Sequence, residues 1–255
     1  MVKEPKITLV GAGPGDVDLM SIKGAKALAK ADVVLYDALV NEEILSLAPE
    51  TAVKIFVGKR AGKHSMKQEE INQLLVDCAL NYGYVVRLKG GDSFVFGRGY
   101  EEIDFAASYN IETDVIPGIS SSIAVPALCG IPITHRGVSE SFWVITGTTT
   151  SGKISDDIYV AAKTQATVVV LMGVNKIAEI VKIYQKEGFG RLPIAIIQNG
   201  SMPNERYALG VINTIEEQIA EKGIAAPAVI VIGAVVGLHP KFQPILESYE
   251  FVDAE

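Results

Sequence analysis

"VVRLKGGDSFVFGRG", Val85 to Gly99, is the stretch whose reading decides the fold. Val85, Val86 and Leu88 suit a strand, which then stops on two glycines and a carboxylate, Asp92. Residues without side chains mark places where something bulky approaches the main chain closely. A phosphate would accept the bare backbone and be repelled by Asp92. A ligand carrying ribose hydroxyls, an ammonium or a sulfonium suits both. In open α/β sheets ligands sit beyond the carboxyl ends of the strands, so this junction reads as the rim of a binding site.

The same junction recurs on either side, with strand-like runs ending on Gly11, Gly58, Gly147, Gly173 and Gly200. In the first half "KITLVGAG", "DVVLYD", "VKIFVG", "YVVRLKGG" and "TDVI" read as strands. Helical stretches separate them. "SIKGAKALAKA" places Ile22, Ala25, Leu28 and Ala29 on one side, and "EEILSLA" reads as a short helix. Ile71, Leu74, Leu75 and Cys78 fall at i, i+3, i+4 and i+7, an amphipathic stripe, with Ser65 and Gln68 as a capping box before it. A further helix runs through "YEEIDFAASYN". Short apolar strands joined by helices imply a mostly parallel sheet covered on both faces.

The rhythm breaks at "PGISSSIAVPALCGIPITHRGVSES", where prolines and clustered serines suggest a domain junction near Pro117 and a helix containing Ser120 to Leu128. Beyond it "SFWVITG", "TVVVLMG", "PIAIIQNG", "YALGVI" and "APAVIVIGAVV" are strand-like, with one helix carrying Val174, Ile177, Val181 and Tyr184 on a single face. The expected architecture is two α/β domains, residues 1–116 and 117–240, with a tail at 241–255 and the active site in the cleft between the domains. The second domain is expected to have the more mixed sheet.

No apolar run approaches the ~20 residues that span a bilayer. The N-terminus leads straight into a strand without a signal-peptide pattern, so a cytoplasmic location is expected. The two cysteines, Cys78 and Cys129, match no metal or redox spacing and read as core residues. A formal net charge of −7 argues against a nucleic-acid partner. The basic residues nonetheless cluster, from Lys54 to Lys67 and again at Arg87, Lys89 and Arg98, which suits an acidic small molecule.

"GAGPGD" invites a dinucleotide reading, with Asp37 closing the next strand as a ribose partner. The spacing fails. Gly11, Gly13 and Gly15 alternate, Asp16 fills the place of the last glycine, and Pro14 removes an amide that a pyrophosphate would want.

Taken in order, "VGAGPGD", "ADVVLYDALV", "VGKRAGKHSMKQEEIN", "VVRLKGGDSFVFGRGYEE", "VIPGISS", "GIPITHR", "VVVLMG", "NGS" and "APAVIVIG" resemble the tetrapyrrole (precorrin-type) methyltransferases from Ile7 to about Val236. The resemblance implies methyl transfer from S-adenosylmethionine, with S-adenosylhomocysteine as product, to C2 and C7 of uroporphyrinogen III, giving precorrin-2, usually within a homodimer. A related enzyme acting on a later corrin intermediate, or a regulatory module that binds the cofactor without turnover, remains open at this point. Cofactor contacts are implied at Pro14 in the first loop, at Gly90, Gly91 and Asp92 in the second, and at Val95. Ser120 and Ser121 at a helix start follow, then Met172 and Gly200, and Ala226, Pro227 and Ala228 beside the adenine. Asp37 and Lys59 take base and acid roles, Arg98 a catalytic and substrate-binding one, and Glu101 and Arg136 contact substrate. The chain departs from the family pattern with Ser93 for a common proline, Tyr100 for a third glycine, Ser120 for threonine and Thr148 for histidine.

Overall fold

The structure, a computed structural model, describes residues 4–58 and 66–242. The chain divides into two compact units, Met1–Ser121 and Ser122–Glu255.

The first unit opens with β1 (Lys6–Gly11), α1 (Ile22–Leu28), β2 (Val33–Tyr36) and, after a 3-10 turn at Glu42–Leu47, β3 (Val53–Phe56). It continues through α2 (Gln68–Tyr82), β4 (Tyr84–Lys89), α3 (Gly99–Ala107) and β5 (Glu112–Ile116). The strands form one sheet in the order β3-β2-β4-β1-β5, and every pair is parallel. Alternation along each strand sends Leu9, Val33, Leu35 and Val85 into a core with α2, while Val10, Val34, Val86 and Leu88 meet Leu28 and Ile44 on the other face. Both faces are covered, as parallel sheets require. Because the strands run the same way, the loops after β1, β2, β3, β4 and β5 all leave from one edge.

Two local expectations for this unit are corrected. Ile22 is 75% exposed, and α1 instead turns Gly24 and Leu28 inward. A Cβ on Gly24 would come within 3.0 Å of Val10 Cγ1, so the helix lies close to the sheet where a glycine permits it. The capping box at Ser65 and Gln68 is also displaced. Helix α2 begins at Gln68 with Lys67 as its N-cap, and Glu70 reaches back to accept the Lys67 amide at 2.6 Å. Ser65 itself lies outside the described residues.

The second unit takes over within α4 (Ser121–Leu128) and adds β6 (Phe142–Thr146), α5 (Asp157–Ala161), β7 (Thr167–Leu171) and α6 (Ile177–Lys186). It ends with β8 (Pro193–Gln198), β9 (Arg206–Val211), α7 (Ile215–Lys222) and β10 (Ala228–Ile232). The sheet order is β6-β7-β10-β8-β9, with β6 parallel to β7 and the other pairs antiparallel. Helices α5 and α7 have no counterpart in the sequence reading. On the face that Val174, Ile177, Val181 and Tyr184 were expected to share, Val181 and Tyr184 are fully buried, while Val174 and Ile177 pack at the margin. Cys78 and Cys129 are free and buried, and burial pushes the Cys129 thiol up to about 11. Among the described residues no helix is long and apolar enough to cross a membrane.

Candidate active site

At the carboxyl edge of the parallel sheet the loops after β1, β4 and β5 touch through their main chains. Gly13 and Gly91 exchange backbone hydrogen bonds, Gly13 N to Gly91 O at 3.1 Å and Gly91 N to Gly13 O at 2.7 Å. Both glycines have positive φ, +80° and +66°, where a side chain would be strained. A Cβ placed on Gly11 would sit 2.6 Å from Gly118 Cα and 2.7 Å from Gly91 O. Three loops therefore meet where any side chain would separate them.

Asp92 binds this arrangement from within. Its Oδ1 accepts the Phe94 amide at 2.8 Å and its Oδ2 accepts the Gly118 amide at 3.0 Å, joining the loop after β4 to the loop after β5. On Gly91 an added Cβ meets nothing nearer than Ser121 N at 3.8 Å, an ordinary contact, so the main chain there is not crowded. Pro14, Gly90, Gly91, Asp92, Ser120 and Ser121 are thus all carried by loops or a helix start at one edge, with half-buried Val95 one turn past Asp92.

Beside the glycine loops lies a pocket of about 650 Å³ within the same unit. Asp37, just past β2, contributes its acid, and Arg87, Lys89 and Arg98 contribute cations. Arg87 and Lys89 lie two apart on β4 and point to the same face, and both are buried. Glu102 on α3, with its side chain fully buried, compensates them: one oxygen, Oε1, takes Arg87 Nε at 3.1 Å, Lys89 Nζ at 3.3 Å and Gln68 Nε2 at 3.2 Å. Arg87 extends onward, with Nη1 donating to Leu88 O at 3.1 Å and Nη2 meeting Asp37 Oδ2 at 3.4 Å. The second oxygens of both acids, Asp37 Oδ1 and Glu102 Oε2, are buried with no hydrogen-bond partner among the described residues. Burial, and next the Arg87 charge, holds the Lys89 ammonium below the ordinary lysine range although Glu102 pulls the other way.

Arg98 precedes α3 in the left-handed region at φ +58°, an uncommon conformation for a branched-chain-free but bulky residue. Its guanidinium forks onto Glu101, with Nε to Oε1 at 2.8 Å and Nη2 to Oε2. This neighbour lowers the Glu101 carboxyl and raises Arg98. Both side chains are half exposed and available to a ligand. Lys59 lies outside the described residues; Gly58, just before it, lines the pocket.

In the second unit, strand direction gathers the remaining expected residues. Strand β10 runs antiparallel to β7 and β8, so its start lies beside their ends, with Ala228 paired to Gln198. Met172 follows β7 at φ +56°, and Thr148 Oγ1 donates to its carbonyl at 2.9 Å. Gly200 follows β8 between Asn199 and Ser201, both at positive φ, and an added Cβ would strike Val125. Ala226–Pro227 is a cis peptide, and Pro227 O accepts the Asn199 amide at 3.1 Å. Met172, Gly200 and Ala226–Ala228 therefore share one edge of this sheet. Arg136 is apart from them, exposed in the turn bridged by His135 and Ser139.

Sequence reasoning missed Glu102 and Gln68. Glu101 and Glu102 are adjacent first-turn acids on α3, and residue type alone does not separate the inward one from the outward one.

Comparison with known proteins defines the class. Residues 6–216 match the family described as Tetrapyrrole (Corrin/Porphyrin) Methylases. The chain belongs to that family. It is 47% identical over 235 residues to a uroporphyrinogen-III C-methyltransferase of Methanocaldococcus jannaschii, covering 91% of this chain and 97% of that protein. It is also 47% identical to a siroheme synthase of Actinobacillus pleuropneumoniae serotype 7, covering 92% of this chain but only 48% of that longer protein. Among solved structures, a uroporphyrin-III C-methyltransferase from Thermus thermophilus complexed with S-adenosyl homocysteine superposes with a TM-score of 0.79 at 38% identity, covering 91% of this chain and 99% of that one.

Proposed function

We propose that this chain transfers methyl groups from S-adenosylmethionine to C2 and C7 of uroporphyrinogen III, giving precorrin-2 and S-adenosylhomocysteine. S-adenosylmethionine supplies an electrophilic methyl group. The residues fit that cofactor: Gly90 and Gly91 offer main chain without side chains, Gly91 is not crowded, and Asp92 keeps the loop in shape. Pro14, Val95, Ser120 and Ser121 join this cradle, and Met172, Gly200 and Ala226–Ala228 serve the same cofactor from the second unit.

The porphyrinogen β-carbon is electron-rich, so the protein's main contribution is alignment, which can lower a barrier by about 7–11 kcal/mol. Each methylation releases one proton from the macrocycle. Asp37 takes it, because its part-exposed carboxylate lines the pocket beside Arg87. That part-exposed carboxylate among the cations of the pocket is the observation that carries the reading. Lys59 is assigned as the partnering acid. Arg98 and Arg136 engage the carboxylated rim of the macrocycle, and Glu101 contacts the substrate away from its carboxylates. The protein works as a homodimer in the cytoplasm.

Anaerobic incubation with uroporphyrinogen III and S-adenosylmethionine should yield a product carrying two added methyls. Asp37→Asn should slow turnover about 10²–10⁴-fold, the usual contribution of a positioned base, while S-adenosylhomocysteine binding by calorimetry stays close to wild type. Equal loss of both would make Asp37 structural.

A further inference from the structure

We infer that Glu102 is a positioning residue for methyl transfer, acting through Arg87 to fix the rotamer of Asp37 at the rim of the pocket. The inference rests on the assignment of Asp37 as base.

The geometry is a chain of three charges. Glu102, from α3, holds Arg87 Nε at 3.1 Å. The Leu88 carbonyl holds Nη1 at 3.1 Å, with Leu35 O at a longer 3.5 Å. A guanidinium is planar, so fixing Nε and Nη1 fixes Nη2 as well. Nη2 faces Asp37 Oδ2 at 3.4 Å, and that contact selects which carboxylate oxygen is occupied. Arg87 is 2% exposed, and its guanidinium is taken up by Glu102, the Leu88 carbonyl and Asp37, so its charge serves the acids beside it.

Glu102 also answers a charge problem. Arg87 and Lys89 are two cations within one buried cluster, and Asp37 is the only other acid bonded to either of them among the described residues. Without Glu102 both cations would turn to Asp37, and a carboxylate bonded through both oxygens makes a poor base. The three donors gathered on Glu102 Oε1 keep that from happening. Gln68, itself bonded to Asn72 at 2.9 Å, orients the Glu102 carboxylate from α2.

The test is a double-mutant cycle in kcat. Glu102→Gln keeps the shape and removes the charge. It should lower kcat for uroporphyrinogen III by about tenfold or more, part of what a positioned base contributes, leaving KM and the S-adenosylhomocysteine dissociation constant within about twofold. Alignment leaves Asp37→Asn a residual rate, measurable by single turnover. In that background Glu102→Gln should cost no more than about twofold further, since it acts through a group already removed. Arg87→Lys, which keeps the buried charge but shortens its reach, should follow the same pattern and replaces Glu102→Gln if that variant does not fold. Multiplication of the single effects in the double variant, or loss of cofactor affinity in step with kcat, would overturn the inference. Full activity in Asp37→Asn would instead overturn the base assignment, a result that the first measurement of the cycle reports separately.

Discussion

Asp92 and Gly118 are joined by a 3.0 Å hydrogen bond from the Gly118 amide to Asp92 Oδ2, although 26 residues separate them. The bond crosses from the loop after β4 to the loop after β5, and the other Asp92 oxygen accepts Phe94 N. The Asp92 carboxylate holds the glycine loops together through both of its oxygens. Asp92→Asn puts an NH₂ where one of two amide donors points. Because hydrogen bonds to charged groups are worth about 1.5–3 kcal/mol, the variant should melt several degrees lower and bind S-adenosylhomocysteine more weakly. Unchanged melting with weaker binding would place Asp92 on the cofactor instead.

Gly118 makes a second prediction. A Cβ there would fall 2.6 Å from Gly11 C and 2.7 Å from Gly11 Cα, and closer still to Gly91 O, all of them backbone atoms. Overpacking of this kind costs about 1–3 kcal/mol where neighbours can shift, and here no flexible side chain can give way. Gly118→Ala should therefore lose cofactor binding and lower the urea midpoint, whereas Gly152→Ala, at an open surface turn, should show only the smaller strain of its positive φ.

Much of this was legible in the sequence, for a physical reason. Strands buried on both faces, such as Val33–Leu35, read as uninterrupted apolar runs, and a parallel sheet sends the glycine-rich strand ends to one edge. Ile22 misled because counting apolar letters ignores Gly24, whose missing side chain is what lets α1 approach Val10. Helix α7 was missed although its signals were present: Glu216 and Glu217 in the first turn and Gly223 in the left-handed region at its end. Glu102 was invisible for a different reason. Adjacent residues on a helix point about 100° apart, so Glu101 meets Arg98 outside while Glu102 turns in to Arg87. The sequence does not reveal that the Glu102 side chain reaches the two buried cations of β4.

The exposed pair on α3 should behave differently from the buried one. Half-exposed ion pairs are worth about 0.2–1 kcal/mol, so Glu101→Gln and Arg98→Lys should leave melting almost unchanged. Lysine cannot reproduce the guanidinium fork on a carboxylate. Losing one charge-assisted contact of about 1.5–3 kcal/mol, Arg98→Lys should raise KM for uroporphyrinogen III by roughly one to two orders of magnitude, with cofactor affinity retained. A matching fall in cofactor affinity would mean that Arg98 shapes the Gly90–Asp92 loop rather than the substrate site.

Lys89 offers a test by pH. Glu102 lies 3.3 Å from its ammonium, which favours the charged form, yet burial and then the Arg87 charge outweigh this and lower its pKa from 10.5. The unfolded chain therefore binds a proton at Lys89 more readily than the native protein between the folded value and 10.5. Stability must rise with pH across that window, and the penalty is fully present below it. Lys89→Met removes the group and with it this slope, while the loss of a Glu102 partner adds an offset. Urea unfolding of both proteins from pH 7 to 10.5 should show wild type gaining on the variant as pH rises. If wild type loses ground instead, the Glu102 contact dominates and the ammonium is held above its ordinary range.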